Sequence, residues 1–167
     1  MGRLVEGKWR TDSIITSDKK GSYDRIPRSF RDSVSKAGPF TPESGRYHLY
    51  VSYACPWAHR TLIYRELKGL QDHISVNVVH PDMMDQGWTF ETNFPETTGD
   101  DLYQKNHLSE IYLKAKPDVS TSVTVPVLWD KKHQTIVNNE SSEIIRFFNQ
   151  EFDEMTGNKE NYYPEAL

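Results

Sequence analysis

The stretch RYHLYVSYACPWAHRTLIYRELKGL, Arg46 to Leu70, constrains the fold more than any other part of the chain. Tyr47 to Val51 is dense in aromatic and branched residues, the composition of a buried strand. Cys55-Pro56 follows, and a proline in the first helical turn loses no hydrogen bond and presets φ. Ala58, Leu62, Ile63, Leu67 and Leu70 then recur at helical spacing and are expected to form the inward face. The result is a strand, a tight bend and a helix, with the one cysteine of the sequence at the bend. Unpaired N–H groups and the positive dipole end of a helix point outward at such a place and stabilise a thiolate.

A lone cysteine is also commonly a small buried hydrophobe. Its junction position, the proline directly after it and a polar helix start downstream favour a nucleophile. The second thiol of a C-x-x-C motif is replaced by Ala58, so covalent chemistry at Cys55 is monothiol and is completed by an external thiol. His59 lies one turn on, either tuning the thiol or facing solvent.

A length of 167 residues suits one domain with extensions, and 36% hydrophobic with 12% aromatic residues suits a globular core. The net charge of −4 argues against nonspecific nucleic-acid binding, which depends on positive charge. There is no apolar run of membrane-spanning length and no basic-then-apolar signal at the start. Glu6 stands where a myristoylation motif needs Ser or Thr. Asn139-Glu140-Ser141 matches a glycosylation sequon, but nothing else points to secretion. One unpaired cysteine suits a reducing compartment, and a cytoplasmic protein is expected.

Residues 1–45 are polar and aperiodic and are expected to form an extended arm. Trp9, Phe30 and Val34 would pin it, RSFRDSV is compatible with a short helical turn, and Gly38 to Pro42 breaks the chain before the first strand. Beyond the Cys55 helix, Ile74 to Val79 reads as a strand, giving a right-handed parallel βαβ unit. A long connection then runs from His80 to about Leu102, and such loops are often functional. Trp88 is its most hydrophobic feature, either an anchor or a ligand contact. Leu102 to Ala115 has helical character. In VTVPVLWD, Pro126 either opens a strand in trans or follows a cis bond that turns the Val125 backbone outward toward an extended peptide. Lys131-Lys132 turns the chain and Gln134 to Val137 returns antiparallel. Asn138 to Ser142 is a helix start rich in capping side chains, followed by Ile144, Ile145, Phe147 and Phe148, with Arg146 on the polar side. Such an N-terminus suits a carboxylate, and Glu140 beside it suits an ammonium. The tail is polar and breaks at Gly157.

Strand, helix, strand, helix, strand, strand, helix, with a cysteine at the first helix and a proline opening the third strand, describes an α/β thioredoxin-like domain, βαβαββα. It is expected over residues 46–152, between the arm 1–45 and a segment 153–167. The stretches VSYACPWAHRT, DQGWTF, VTVPVLWDKK, NNESSEIIR and YYPEAL closely resemble the glutathionyl-hydroquinone reductases, the Xi class of glutathione transferases, from about Trp9 to Leu167. The resemblance implies glutathione as co-substrate and no metal. Under it Cys55 is the nucleophile and Trp88 packs against glutathione. Val125, before a cis Pro126, pairs its backbone with the cysteinyl part, while Glu140 and Ser141 hold the γ-glutamyl ammonium and carboxylate.

The reaction implied is reduction of glutathionyl-hydroquinones through a cysteine–glutathione mixed disulfide. A general thiol transferase or deglutathionylase is the alternative, as is a non-catalytic glutathione-binding remnant. Two departures stand out. Thr121-Ser122 occupies the place where the family usually carries a basic residue before Val-Thr-Val-Pro. Family members also continue into an all-helical domain that supplies quinone-pocket tyrosines and dimer contacts. On that ground the chain is expected to be truncated, with 153–167 opening the linker.

Overall fold

The computed structural model describes residues 2–11, 16–17, 23–24 and 28–164. The end of YYPEAL, residues 165–167, and parts of the arm therefore lie outside the described residues. The arm is more than an extended lead-in. β1 (Arg3–Val5) turns through Gly7 into β2 (Lys8–Arg10), and the two pair antiparallel. Gly7 has φ +72°, and a Cβ there would lie 2.1 Å from the Pro117 carbonyl oxygen, so only glycine fits. β3 (Thr16–Ser17) and β4 (Tyr23–Asp24) form a small antiparallel ladder of their own. RSFRDSV makes no helical turn. Its backbone runs beside the end of the central sheet, with Asp32 N–H donating to Val137 O (3.0 Å) and Asn139 N–H to Phe30 O (3.1 Å).

The thioredoxin-like core follows. β5 (Tyr47–Val51), buried at every position, leads into α1 (Pro56–Leu67) and then β6 (Ser75–Val78). Next come α2 (Leu108–Ala115), the short β7 (Thr121–Ser122), β8 (Val127–Asp130) and β9 (Thr135–Asn138). α3 (Ser141–Gln150) and the single-turn α4 (Asp153–Thr156) complete the order. The central sheet runs β6-β5-β8-β9, with β5–β6 parallel and the other pairs antiparallel. β7 pairs with β1, so the arm and the core share a sheet of order β2-β1-β7. α1 and α3 pack against each other, and Tyr47, Leu49, Tyr50, Ile111, Leu128, Trp129, Ile144 and Phe148 are among the fully enclosed core residues.

Two local expectations are corrected. Ala58 and Thr61 on α1 are enclosed, as are Lys68 and Leu70 just past its end, whereas Ile63 and Leu67 are exposed. Lys68 can turn inward because Asp153 faces its ammonium at 2.9 Å and the Glu160 carbonyl accepts from it at 2.6 Å. α2 begins at Leu108, not Leu102. The buried Asp100 carboxylate takes the N–H groups of Leu102 (3.1 Å) and Lys105 (3.0 Å) and the Tyr50 hydroxyl (3.0 Å), which holds that stretch as a turn. Glu110 then accepts from the Asn106 and His107 N–H groups, both at 3.1 Å, and so starts the helix.

At the far end of β5, Arg46 and Asp130 form a buried ion pair, Nη2 to Oδ2 2.6 Å and Nε to Oδ1 2.9 Å. Burial alone would raise the Asp130 carboxyl, but the bond from Arg46 holds it below the ordinary carboxylate value.

Candidate active site

Cys55 is the N-cap of α1, with extended backbone (φ −105°, ψ 110°), and its carbonyl receives the His59 N–H at 2.9 Å. Pro56 occupies the first helical turn, where its missing N–H costs nothing. The sulfur is half-buried among exposed neighbours, Tyr53, Ala54, Pro56 and Trp57. His59 is exposed as well. The Cys55 Sγ faces the Val125 carbonyl oxygen at 3.8 Å, across 70 residues of sequence. The Val125–Pro126 peptide bond is cis. Val125 is buried and lies just outside the ladder, since β8 begins at Val127.

Tyr112 on α2 holds this segment in place. Its hydroxyl donates to Thr124 O (2.8 Å) and accepts from Thr124 N–H (3.2 Å) and Asn139 Nδ2 (3.0 Å). Burial pushes the Tyr112 phenol up, so it stays neutral and can serve all three partners. One enclosed hydroxyl thereby links the residue before Val125 to the residue before Glu140.

Glu140 is the N-cap of α3 (φ −108°, ψ 109°), and its Oε1 accepts from Ser142 N–H at 3.3 Å and from Ser142 Oγ at 3.1 Å. Its own N–H donates to Asn138 Oδ1 at 2.7 Å. Ser141, the first residue of the helix, is buried. Arg60, on α1, donates to the Ser141 hydroxyl through Nε (3.0 Å) and Nη2 (2.6 Å), with Nη2 also 3.8 Å from Glu140 Oε1. Because Arg60 occupies the oxygen's lone pairs, the single Ser141 proton is directed away from it, ready for an acceptor. α1 and α3 pack together, and a guanidinium from the second turn of α1 reaches the N-terminus of α3, where the dipole favours an anion.

Trp88 is nearly enclosed. Its carbonyl accepts from Leu108 N–H at 2.9 Å, and its neighbour Thr89 bridges His107. These bonds run to the start of α2, apart from those joining Cys55 to Val125 and Arg60 to Ser141. Thr121 and Ser122, where a basic residue was expected, are buried in the β1–β7 ladder. Arg60 and Tyr112 were missed from sequence; their partners lie 81 residues away at Ser141 and 27 at Asn139, which no local pattern announces.

The profile of the glutathione S-transferase N-terminal domain matches residues 54–151. The chain belongs to the glutathione transferase family. It is 51% identical to glutathionyl-hydroquinone reductase YqjG of Escherichia coli, an alignment covering 100% of this chain and 53% of that protein. To glutathionyl-hydroquinone reductase PcpF of Sphingobium chlorophenolicum it is 43% identical, covering 98% of this chain and 51% of the relative. Among solved structures, the Xi-class transferase of Natrialba magadii superposes with TM-score 0.87 at 49% identity, over 99% of this chain and 50% of that one. Glutathione-bound YqjG superposes with TM-score 0.84 at 49% identity, over 99% and 51%. The transferase chain described here therefore spans about half the length of the curated relatives it matches. Its fold is the thioredoxin-like N-terminal domain of that family. No helix among the described residues is long and apolar enough to cross a membrane, and no cluster of three or more His, Cys, Asp or Glu side chains there is placed to hold a metal ion.

Proposed function

We propose that the chain carries the glutathione site and nucleophile of a reductase that removes glutathione from glutathionyl-hydroquinones. The observation that carries this reading is the meeting of Cys55 Sγ with the Val125 carbonyl at 3.8 Å, at the N-cap of a helix. The Cys55 thiolate attacks the glutathionyl sulfur. A Cys55–glutathione disulfide forms, the bond from sulfur to the ring carbon breaks, and its electron pair takes up a proton to release the hydroquinone. A second glutathione thiolate attacks the mixed disulfide, giving oxidised glutathione and restoring the Cys55 thiolate. One glutathione adduct is lost and one external glutathione is consumed, so a single protein thiol suffices.

In this scheme Ser141 and the α3 N-terminus receive the γ-glutamyl carboxylate, and the Glu140 carboxylate receives its ammonium. The Val125 backbone pairs with the cysteinyl amide and Trp88 packs against the tripeptide. Residues 46–152 form the glutathione-binding unit, 1–45 its arm and 153–167 a linker. Dependence on reduced glutathione and on one free thiol supports a reducing compartment such as the cytoplasm. The exposed surroundings of Cys55 also favour a broader deglutathionylase activity on bulkier disulfides.

The test is intact mass spectrometry of the chain after incubation with oxidised glutathione, with Cys55→Ser beside it. A single adduct is expected on the wild type, removed by reduced glutathione and absent from the variant. A folded wild-type protein that forms no adduct would refute the mechanism and identify a remnant without chemistry.

A further inference from the structure

The N-terminal hairpin, which a thioredoxin-like core does not require, reaches two of the segments assigned to glutathione. On one side β1 pairs with β7, Arg3 opposite Ser122 and Leu4 opposite Thr121. Gly7 N–H donates to Val119 O at 3.1 Å and Glu6 N–H to Ser120 Oγ at 2.8 Å. β7 continues through Val123 and Thr124 directly into Val125. On the other side Trp9, on β2, donates from its indole Nε1 to the Asp85 carbonyl at 2.8 Å. Its ring lies against Gly87, where a Cβ would come within 2.7 Å of it. Gly87 also has φ +76° and closes a turn by donating to Met84 O at 2.9 Å. Trp88 is the next residue.

The Trp88 loop has little regular structure to fix it. Beyond Trp88 it is tied to Asn106 and Leu108 by backbone bonds from Phe90 and Leu108. Before Trp88, His80 N–H donates to Thr89 O at 2.9 Å within the loop, Met83 packs against the core, and the indole of Trp9 reaches in from the hairpin. An apolar side chain would cover the same surface but could not satisfy the Asp85 carbonyl.

We infer that the β1–β2 hairpin is a positioning brace: Trp9 sets where Trp88 stands relative to the Val125 segment that β1 holds from the other side. Trp9 touches no reacting atom and acts through Asp85 and Gly87. The inference rests on the assignment of Trp88 and Val125 to glutathione.

Trp9→Phe keeps a ring and removes the indole N–H, while Trp9→Ala removes both. Glutathione affinity is measured by calorimetry on the full chain, and amide hydrogen exchange is read for residues 84–90 and for β5. Trp9→Phe should weaken affinity about three- to tenfold, the scale of one lost hydrogen bond. Trp9→Ala should weaken it about thirtyfold or more because the ring contact goes too. In both variants exchange over 84–90 should quicken by about tenfold while β5 is unchanged, which is local loosening and not global destabilisation. A folded Trp9→Ala protein with unchanged affinity, or with β5 and 84–90 quickened equally, overturns the brace. A wild-type chain that binds no glutathione overturns the site assignment instead, and the inference with it.

Discussion

Removing the Arg60 guanidinium should weaken glutathione binding, and by an amount that depends on Ser141 being present. Arg60 makes two hydrogen bonds to the Ser141 hydroxyl, at 3.0 and 2.6 Å. They leave the hydroxyl proton to be donated to an arriving carboxylate. A hydrogen bond to a charged group contributes about 1.5–3 kcal/mol when desolvated. The Arg60 side chain is 39% exposed and its own bonds persist with and without ligand, so the loss on binding is that of the misoriented hydroxyl–carboxylate bond, about 1.5–3 kcal/mol. At about 1.4 kcal/mol per factor of ten, Arg60→Met should raise the glutathione Kd about ten- to hundredfold. Calorimetry on the wild type, Arg60→Met, Ser141→Ala and the double variant completes the cycle. With no hydroxyl to orient, Arg60 has less to contribute, so the double variant should fall short of additivity by about 1 kcal/mol or more. Strict additivity would refute the orienting role. Tighter binding by Arg60→Met would refute it more directly, because it would mean that the guanidinium competes with glutathione for the seat on Ser141.

Two further perturbations test the scaffold. Burial, then the charge of Lys131, pushes His48 down to about 4 from 6.5. The unfolded chain therefore takes up a proton between those values that the folded chain refuses, so stability is full above pH 6.5 and falls by up to about 3 kcal/mol toward pH 4; urea titrations at both ends should show the fall shrinking in His48→Asn, and an unchanged fall would assign it elsewhere. Lys68→Met removes the enclosed cation that meets Asp153 and the Glu160 carbonyl. Because Asp153 is 24% exposed, it should cost about 1–3 kcal/mol, below the loss at a fully buried pair, and speed limited proteolysis beyond residue 152; a variant as resistant as the wild type would show that the 153–163 segment is held by other contacts.

What could be read from the sequence and what could not divide along the distance between a residue and its partner. The β5–α1 junction was legible because its determinants are adjacent: a branched and aromatic run, then Cys55, then Pro56. The start of α3 was legible for the same reason, with Asn138 and Glu140 both spending side-chain bonds on N–H groups two residues on. α2 was misjudged at Leu102 because the carboxylate that stops the helix, Asp100, looks like any polar residue until its bonds to Leu102 and Lys105 are seen. On α1 periodicity correctly placed Ala58 and Leu70 inward but not Ile63 and Leu67, and it treats lysine as outward, whereas Asp153 and Glu160 make Lys68 an interior residue. Arg60 with Ser141, Lys68 with Glu160 and Trp9 with Asp85 span 81, 92 and 76 residues. The elements of the site are thus written locally, whereas their mutual placement depends on side chains whose neighbourhoods look ordinary. Substitutions at Trp9 or Arg60 can therefore leave every local motif intact and still shift the segments of the proposed site relative to one another, and one at Lys68 can free the segment after α3 in the same silent way.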